Sequence, residues 1–267
     1  MTLAEVLVGY YESHGKNIAS HQEVLISARL WNEFCGEVAA ADACEVERIE
    51  LFKRWLSGKN YSPGYINRVL SVGRAALMRA YHRRLIDVRP IVQALPGCRG
   101  NPKGEPLSVA ELQRLYAAFE EPHLRRFLIL GLATGGRPDA IRGLAWTQID
   151  LSSRCIRLNP LGRTQTKKRR AEVPVCDELA KILSEWGEQD CWAGPLVHFR
   201  GNAIASVKTA WRRARVRAGL SKRCNPYSLR HTVGKWLRSR SVPAWEVAAL
   251  LGHKLPGYSI TEDVRER

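Results

Sequence analysis

Acidic side chains are missing from one long stretch of this 267-residue chain. Between Cys191 and Trp245 there is none, against twelve Lys or Arg. Other absences narrow the function classes. No run of eighteen apolar residues occurs, so no transmembrane helix is expected. The opening Met1-Thr2-Leu3-Ala4-Glu5 has no basic segment followed by an apolar one, so no secretory signal is expected and the chain reads as cytoplasmic. The seven cysteines are scattered, and no two are separated by only two residues. That argues against a zinc site and a disulfide framework and for reduced, mostly buried thiols. There is no Gly-rich nucleotide loop, no nucleophile elbow, no internal repeat and no low-complexity segment.

What is present is positive charge. Forty-two Lys and Arg stand against twenty-six Asp and Glu, a net charge of +16. Residues 1–50 hold three basic and nine acidic side chains, whereas residues 51–100 hold ten basic and one acidic. A polyanionic partner fits this distribution. Nucleic acid ranks ahead of a membrane surface, because no lipid anchor accompanies the charge.

Apolar spacing predicts a mainly α chain with a small β-hairpin, an α+β fold. Thr2-x-x-Glu5 is a capping box at the head of a first helix. Further helices are expected over about 21–35, 45–56 and from Pro63 onward, where Ser62 suits the N-cap and Pro63 the first helical position. Ile66, Val69, Leu70, Leu77, Tyr81 and Leu85 form the apolar stripe of that fourth helix. At 100° per residue Arg68, Arg79 and Arg83 fall on its opposite side, where they suit phosphate contacts. Residues 96–106, with three prolines and three glycines, mark a linker between domains 1–95 and 107–267. Ser108 and Glu111 cap a helix running to about Phe119, and Pro122 starts another that ends near Thr134. Strands are expected at 155–159 and 171–175, with the basic turn 162–170 between them, and helices at about 206–218, 228–239 and 243–251. The tryptophans at 31, 55, 146, 186, 211, 236 and 245 are mostly spaced for helix cores.

Three segments carry chemistry. In Thr134-Gly135-Gly136-Arg137 a helix ends in a Gly-Gly turn, and an arginine opens the next helix, where the dipole favours an anion. The others are Pro226-Tyr227-Ser228-Leu229-Arg230-His231-Thr232 and Leu250-Leu251-Gly252-His253. Their order and separation, with a basic hairpin between the first two, resemble the tyrosine recombinase or phage integrase family. That family reads T-G-x-R, H-x-L-R-H-T, L-G-H and finally T-E-x-Y.

The resemblance implies a two-domain, C-shaped clamp on double-stranded DNA, with a helical core-binding domain ahead of a catalytic-type domain. It implies phosphoryl transfer between DNA and a tyrosine, in which two arginines and a histidine neutralise the transition state without metal or cofactor. Arg137 and Arg230 match the family's arginines, and His253 matches its L-G-H histidine. Lys167, with Lys168 in reserve, matches the lysine of the hairpin turn. Arg163, Lys168, Arg169, Arg170, Lys208 and Arg212 join Arg68, Arg79 and Arg83 as candidate DNA contacts. Implied partners are duplex DNA, further copies of the chain on that DNA and an accessory DNA-bending protein. The implied location is the nucleoid.

Two positions depart from the family pattern. Tyr227 stands at the first histidine of H-x-L-R; a phenol can donate to phosphate but is a poor base near neutral pH. His231 faces elsewhere on a helix and reads as structural. Thr261-Glu262-Asp263-Val264 aligns with T-E-x-Y, so the nucleophile position holds Val264, with Arg267 the last residue. The family's further C-terminal coupling helix is not expected. Tyr258, six residues earlier, is a reserve nucleophile. Two functions stay open: a DNA-binding family member without strand cleavage, or a working recombinase that uses Tyr258 or a tyrosine lost from this version of the chain. An RNA-binding module has only the charge in its favour.

Overall fold

The computed structural model describes residues 1–97, 104–165 and 169–253. The chain divides into two compact units, Met1–Asn101 and Pro102–Arg267. Among the described residues no helix is long and apolar enough to cross a membrane.

The first unit is helical: α1 (Leu3–Ser13), α2 (His21–Cys35), α3 (Val46–Gly58) and α4 (Pro63–His82). Thr2 and Glu5 complete the reciprocal capping box, with Thr2 N donating to Glu5 Oε2 at 2.8 Å. Ser62 Oγ accepts from Tyr65 N, and Pro63 occupies the first turn, as its fixed φ allows. Trp31 sits at the centre, fully buried, its Nε1 donating to Val69 O at 2.9 Å. Gly73 permits this: a Cβ there would lie 2.2 Å from the indole. Phe52 packs on Trp31 with ring centroids 4.3 Å apart.

The arginines of α4 differ from expectation. The helix ends at His82, so Arg83 is its C-cap and Leu85 lies beyond it, exposed. Arg68 is exposed but paired with Glu23 of α2. Arg79 is half-buried, with a buried Nε that has no hydrogen-bond partner. Arg79 is covered because α4 is packed by α1, α2 and α3, so its apolar stripe does not exhaust its buried surface.

The second unit contains α5 (Val109–Ala117), α6 (Pro122–Thr134), α7 (Pro138–Arg142), α8 (Asp177–Gln189), α9 (Lys208–Arg217), α10 (Tyr227–Ser239) and α11 (Ala244–Leu250). Ser108 and Glu111 form the capping box of α5. A three-stranded antiparallel sheet holds β1 (Ile149–Asp150), β2 (Cys155–Arg157) and β3 (Glu172–Pro174), in that order, and the expected hairpin is its β2–β3 pair. A second pair joins β4 (His198–Phe199) to β5 (Asn202–Ala203). Helix α8 was not expected from the sequence. Its signal was there: Leu179, Leu183 and Gly187 recur every four residues and are buried, behind two acids in the first turn.

Two features set the frame for the site. Gly131 of α6 lies against Leu229 of α10, with room for no Cβ (2.6 Å to Leu229 Cδ1), so the two helices approach closely. Five residues earlier in α6, buried Arg126 grips Asp190, with NH1 2.5 Å from Oδ2 and NH2 3.1 Å from Oδ1. Trp146 Nε1 also donates to Asp190 Oδ2, at 3.1 Å.

Of the six cysteines among the described residues, Cys35, Cys44 and Cys224 are buried, Cys155 is intermediate, and Cys176 and Cys191 are exposed. The thiols are therefore free, but only half of those six are buried. Trp245 departs from its core expectation, at 53% exposed. Trp192, in a loop where it has a positive φ, is 49% exposed.

Candidate active site

The Gly-Gly turn does the work expected of it. Gly135 adopts a left-handed φ of 59° and returns its N–H to Gly131 O, which ends α6. Thr134 Oγ1 donates to Leu130 O and accepts from Gly136 N, bracing the turn. Arg137 then N-caps α7. That helix has only five residues, so its dipole adds little; the charge of Arg137 is its own.

Arg230 comes from α10 and is 8% exposed. Its NH1 donates to Gly135 O at 2.9 Å, and its NH2 donates to Leu251 O. The same NH2 is 2.8 Å from His253 Nε2. A guanidinium has no acceptor, so His253 Nε2 must accept, which leaves the neutral imidazole proton on Nδ1. His253 follows Gly252, whose φ is 62° and whose Cβ position lies 2.6 Å from Arg169 O. Arg137 NH1 donates to that same Arg169 carbonyl. Arg137, Arg230 and His253, far apart in sequence, are thus brought together by three backbone carbonyls. A small recess lies between the two arginines, lined also by Gly136, Leu158 and Arg170, and His253 stands against Arg230 beside it.

Electrostatics mark the recess as deficient in negative charge. Burial, and then the Arg137 charge, push the Arg230 guanidinium down to about 10, with Tyr227 opposing. Arg137 is lowered by burial, again opposed by Tyr227. His253, an exposed residue, is lowered by partial covering of its ring and then by Arg230 and Arg137. Arg170 is lowered by burial and then by the charge of Arg163. Among the described residues no carboxylate forms an ion pair with Arg137 or Arg230.

The other candidates fall in four places. Tyr227, the first residue of α10, acts electrostatically on both arginines, and His231, next to Arg230 in sequence, is half-buried. In the hairpin, Arg163 NH1 donates to Asn159 Oδ1 at 2.6 Å, and Gln165 brackets Arg170 with two hydrogen bonds. Arg169 is half-buried and contributes its carbonyl to the site. Lys208 and Arg212 are exposed on α9. Arg68, Arg79 and Arg83 belong to the first unit. Lys167, Lys168, Tyr258 and Val264 lie outside the described residues. Among the described residues there is no group of three His, Cys, Asp or Glu side chains that could hold a metal.

The sequence pattern of the phage integrase family matches residues 105–257, more than half of the chain. The chain belongs to the phage integrase family. Among curated proteins, an integrase of Streptomyces ambofaciens is 26% identical over 247 residues, covering 79% of this chain and 62% of the integrase. The chain thus spans less than two thirds of that relative's length. Two solved structures share the fold. The integrase of the Tn1549 transposon, in complex with circular intermediate DNA, superposes with a TM-score of 0.79 at 16% identity, over 96% of this chain and 92% of that one. A lambda integrase dimer bound to a core site superposes with a TM-score of 0.76 at 17% identity, over 96% of this chain and 75% of the other. This integrase-family chain therefore has the mainly helical fold with small antiparallel sheets that its motifs implied.

Proposed function

We propose that this integrase-family protein binds double-stranded DNA, seats one backbone phosphate against Arg137, Arg230 and His253, and does not cut the strand. One observation carries the seating: two guanidiniums converge on a recess, with the His253 imidazole against one of them, and neither guanidinium has a carboxylate partner among the described residues. An anion relieves that crowding, and planar guanidinium forks suit phosphate oxygens. The carbonyls that orient each fork use some of its five N–H groups and leave others for a ligand. Lys167 is placed in the same role by the family motif, with Lys168 in reserve, and Tyr227 donates its phenol. Exposed Lys208 and Arg212, with Arg163, Arg169 and Arg170 of the hairpin, supply sequence-independent backbone contacts.

The absence of cleavage rests on Val264, an aliphatic side chain at the tyrosine of T-E-x-Y. The two domains, 1–95 and 107–267, are read as the arms of a clamp joined by 96–106. The chain is assigned to the nucleoid on the same reading. A second reading, strand transfer through a 3′-phosphotyrosine that uses Tyr258 or a tyrosine outside this sequence, is favoured by the same convergence of Arg137, Arg230 and His253.

The experiment is a duplex-DNA titration across salt, paired with a suicide substrate that traps covalent adducts. Affinity should fall steeply with salt as counterions are released. Arg137→Ala and Arg230→Ala should each weaken binding by about 1–3 kcal/mol, the scale of a lost charged hydrogen bond. No adduct should form. An adduct that disappears in Tyr258→Phe would establish the second reading. Arginine variants that bind as well as the parent would place DNA contact elsewhere.

A further inference from the structure

The chain that enters the second unit is tied to the helix that carries Arg230. Leu107 N donates to Thr232 Oγ1 at 2.8 Å, and Glu105 N donates to Ser228 Oγ at 3.4 Å. Both hydroxyls belong to α10, two residues after and two before Arg230, and both side chains are fully buried. Two residues on a helix is a rotation of about 200°, so the pair grips the back of α10 while Arg230 projects into the recess.

The grip is closely fitted. Thr232 Oγ1 donates onward to Ser228 O at 2.8 Å. Ser228 Oγ accepts from Asn225 N at 3.1 Å and donates to Arg223 O at 3.3 Å. Arg223 Nε is 3.5 Å from Glu105 Oε2. Gly104 enters with a φ of 93°, and a Cβ there would lie 2.8 Å from Ser228 Oγ. Buried hydroxyls cost free energy unless they are bonded, and these bond to chain more than 120 residues away in sequence.

We propose that Ser228 and Thr232 are positioning residues. By holding the residue 104–107 segment against the back of α10, they set where the Arg230 guanidinium stands. That segment continues the Pro- and Gly-rich linker, so a change in the linker has a mechanical route to Arg230. The inference rests on the reading of Arg230 as a phosphate-seating group.

The test is a double-mutant cycle in duplex-DNA affinity at fixed salt, using the parent, Thr232→Val, Arg230→Ala and the double variant. Thr232→Val is expected to weaken binding about twofold to tenfold, the range of one lost hydrogen bond. It should have no further effect once Arg230 is alanine. Thr232→Ser, which keeps the hydroxyl, should bind like the parent. Gly104→Ala leaves every hydroxyl in place and should reproduce the pattern, and it carries the test if Thr232→Val does not fold. A merely structural role would lower affinity by the same factor in both backgrounds, and that outcome overturns the proposal. So does parental affinity in both Thr232→Val and Gly104→Ala while Arg230→Ala binds weakly. If Arg230→Ala itself binds like the parent, the phosphate-seating reading fails, and this inference with it.

Discussion

Each unit buries a tryptophan at its centre and supplies a carbonyl for the indole N–H. In the first unit Trp31 donates to Val69 O at 2.9 Å; in the second Trp211 donates to Cys224 O at 3.3 Å. The units differ in how they treat charge. All nine acids of residues 1–50 are exposed, and the first unit's lysines and arginines find some of them: Lys53 pairs with Glu50, Lys59 with Glu33 and Arg68 with Glu23. The second unit buries two arginines in opposite circumstances. Arg126 has the Asp190 carboxylate, whereas Arg230, among the described residues, has only carbonyls and a neutral histidine. A buried cation satisfied by a carboxylate is part of the scaffold. One that is held in place but left electrically unmatched is what the proposed phosphate seat requires.

The strongest way to break the comparison is to empty one centre. Trp31→Ala should cost about 3–5 kcal/mol, the usual range for removing a buried aromatic side chain. The loss should be confined to the first unit, and amide exchange resolved by segment is the measurement. Protection lost equally in residues 107–253 would mean that the units do not hold their cores separately.

The two buried arginines sharpen the contrast further. Arg126→Met strands Asp190 without its cation and should destabilise the second unit by about 3–5 kcal/mol. Arg230→Met strands no carboxylate, so denaturant melts should show a smaller loss, while DNA binding falls. Equal losses in the two melts would remove the distinction between scaffold and site.

A smaller effect concerns pH. In the free protein His253 is held below its usual 6.5, so the unfolded chain takes up a proton before the folded one does. Its contribution to stability is therefore present above 6.5 and is lost as pH falls from there through the lower folded-state value. A bound phosphate reverses the local sign and favours the imidazolium. DNA affinity should accordingly rise as pH drops from 7.5 toward 6, with His253→Gln flattening the profile. An unchanged slope in that variant would assign the proton to another group.

The smallest effect separates the cysteines. Burial pushes Cys35, Cys44 and Cys224 up to about 11, while Cys176 and Cys191 are exposed. Thiol labelling of the native protein near pH 8 should modify Cys176 and Cys191 first. Early labelling of Cys35 or Cys44 would show that the first core opens readily.

Local signals carried much of this into view. Capping boxes at Thr2 and Ser108, and Pro63 after Ser62, placed helix starts to the residue, because a cap is a contact between neighbours in the chain. The motifs around Arg137, Arg230 and His253 were legible for the same reason. The burial of Arg79 is not legible in the same way, because it depends on which helices cover α4, and a single-helix projection does not contain them. Helix α8 shows a clean four-residue spacing, yet its ends carry no proline or capping box to mark it.

By itself, then, the sequence determined the helical character of the chain, the residue types of the site and the charge that suits a polyanion. Each follows from side-chain chemistry and short-range spacing. Only the tertiary structure decided what holds the site. The carbonyls of Gly135, Arg169 and Leu251 orient the two guanidiniums, and the hydroxyls of Ser228 and Thr232 grip chain more than 120 residues away. Every residue but the last has a backbone carbonyl, and hydroxyls are common, so sequence alone cannot single out the ones that act. They become specific only when folding removes water and leaves each buried donor one acceptor within reach.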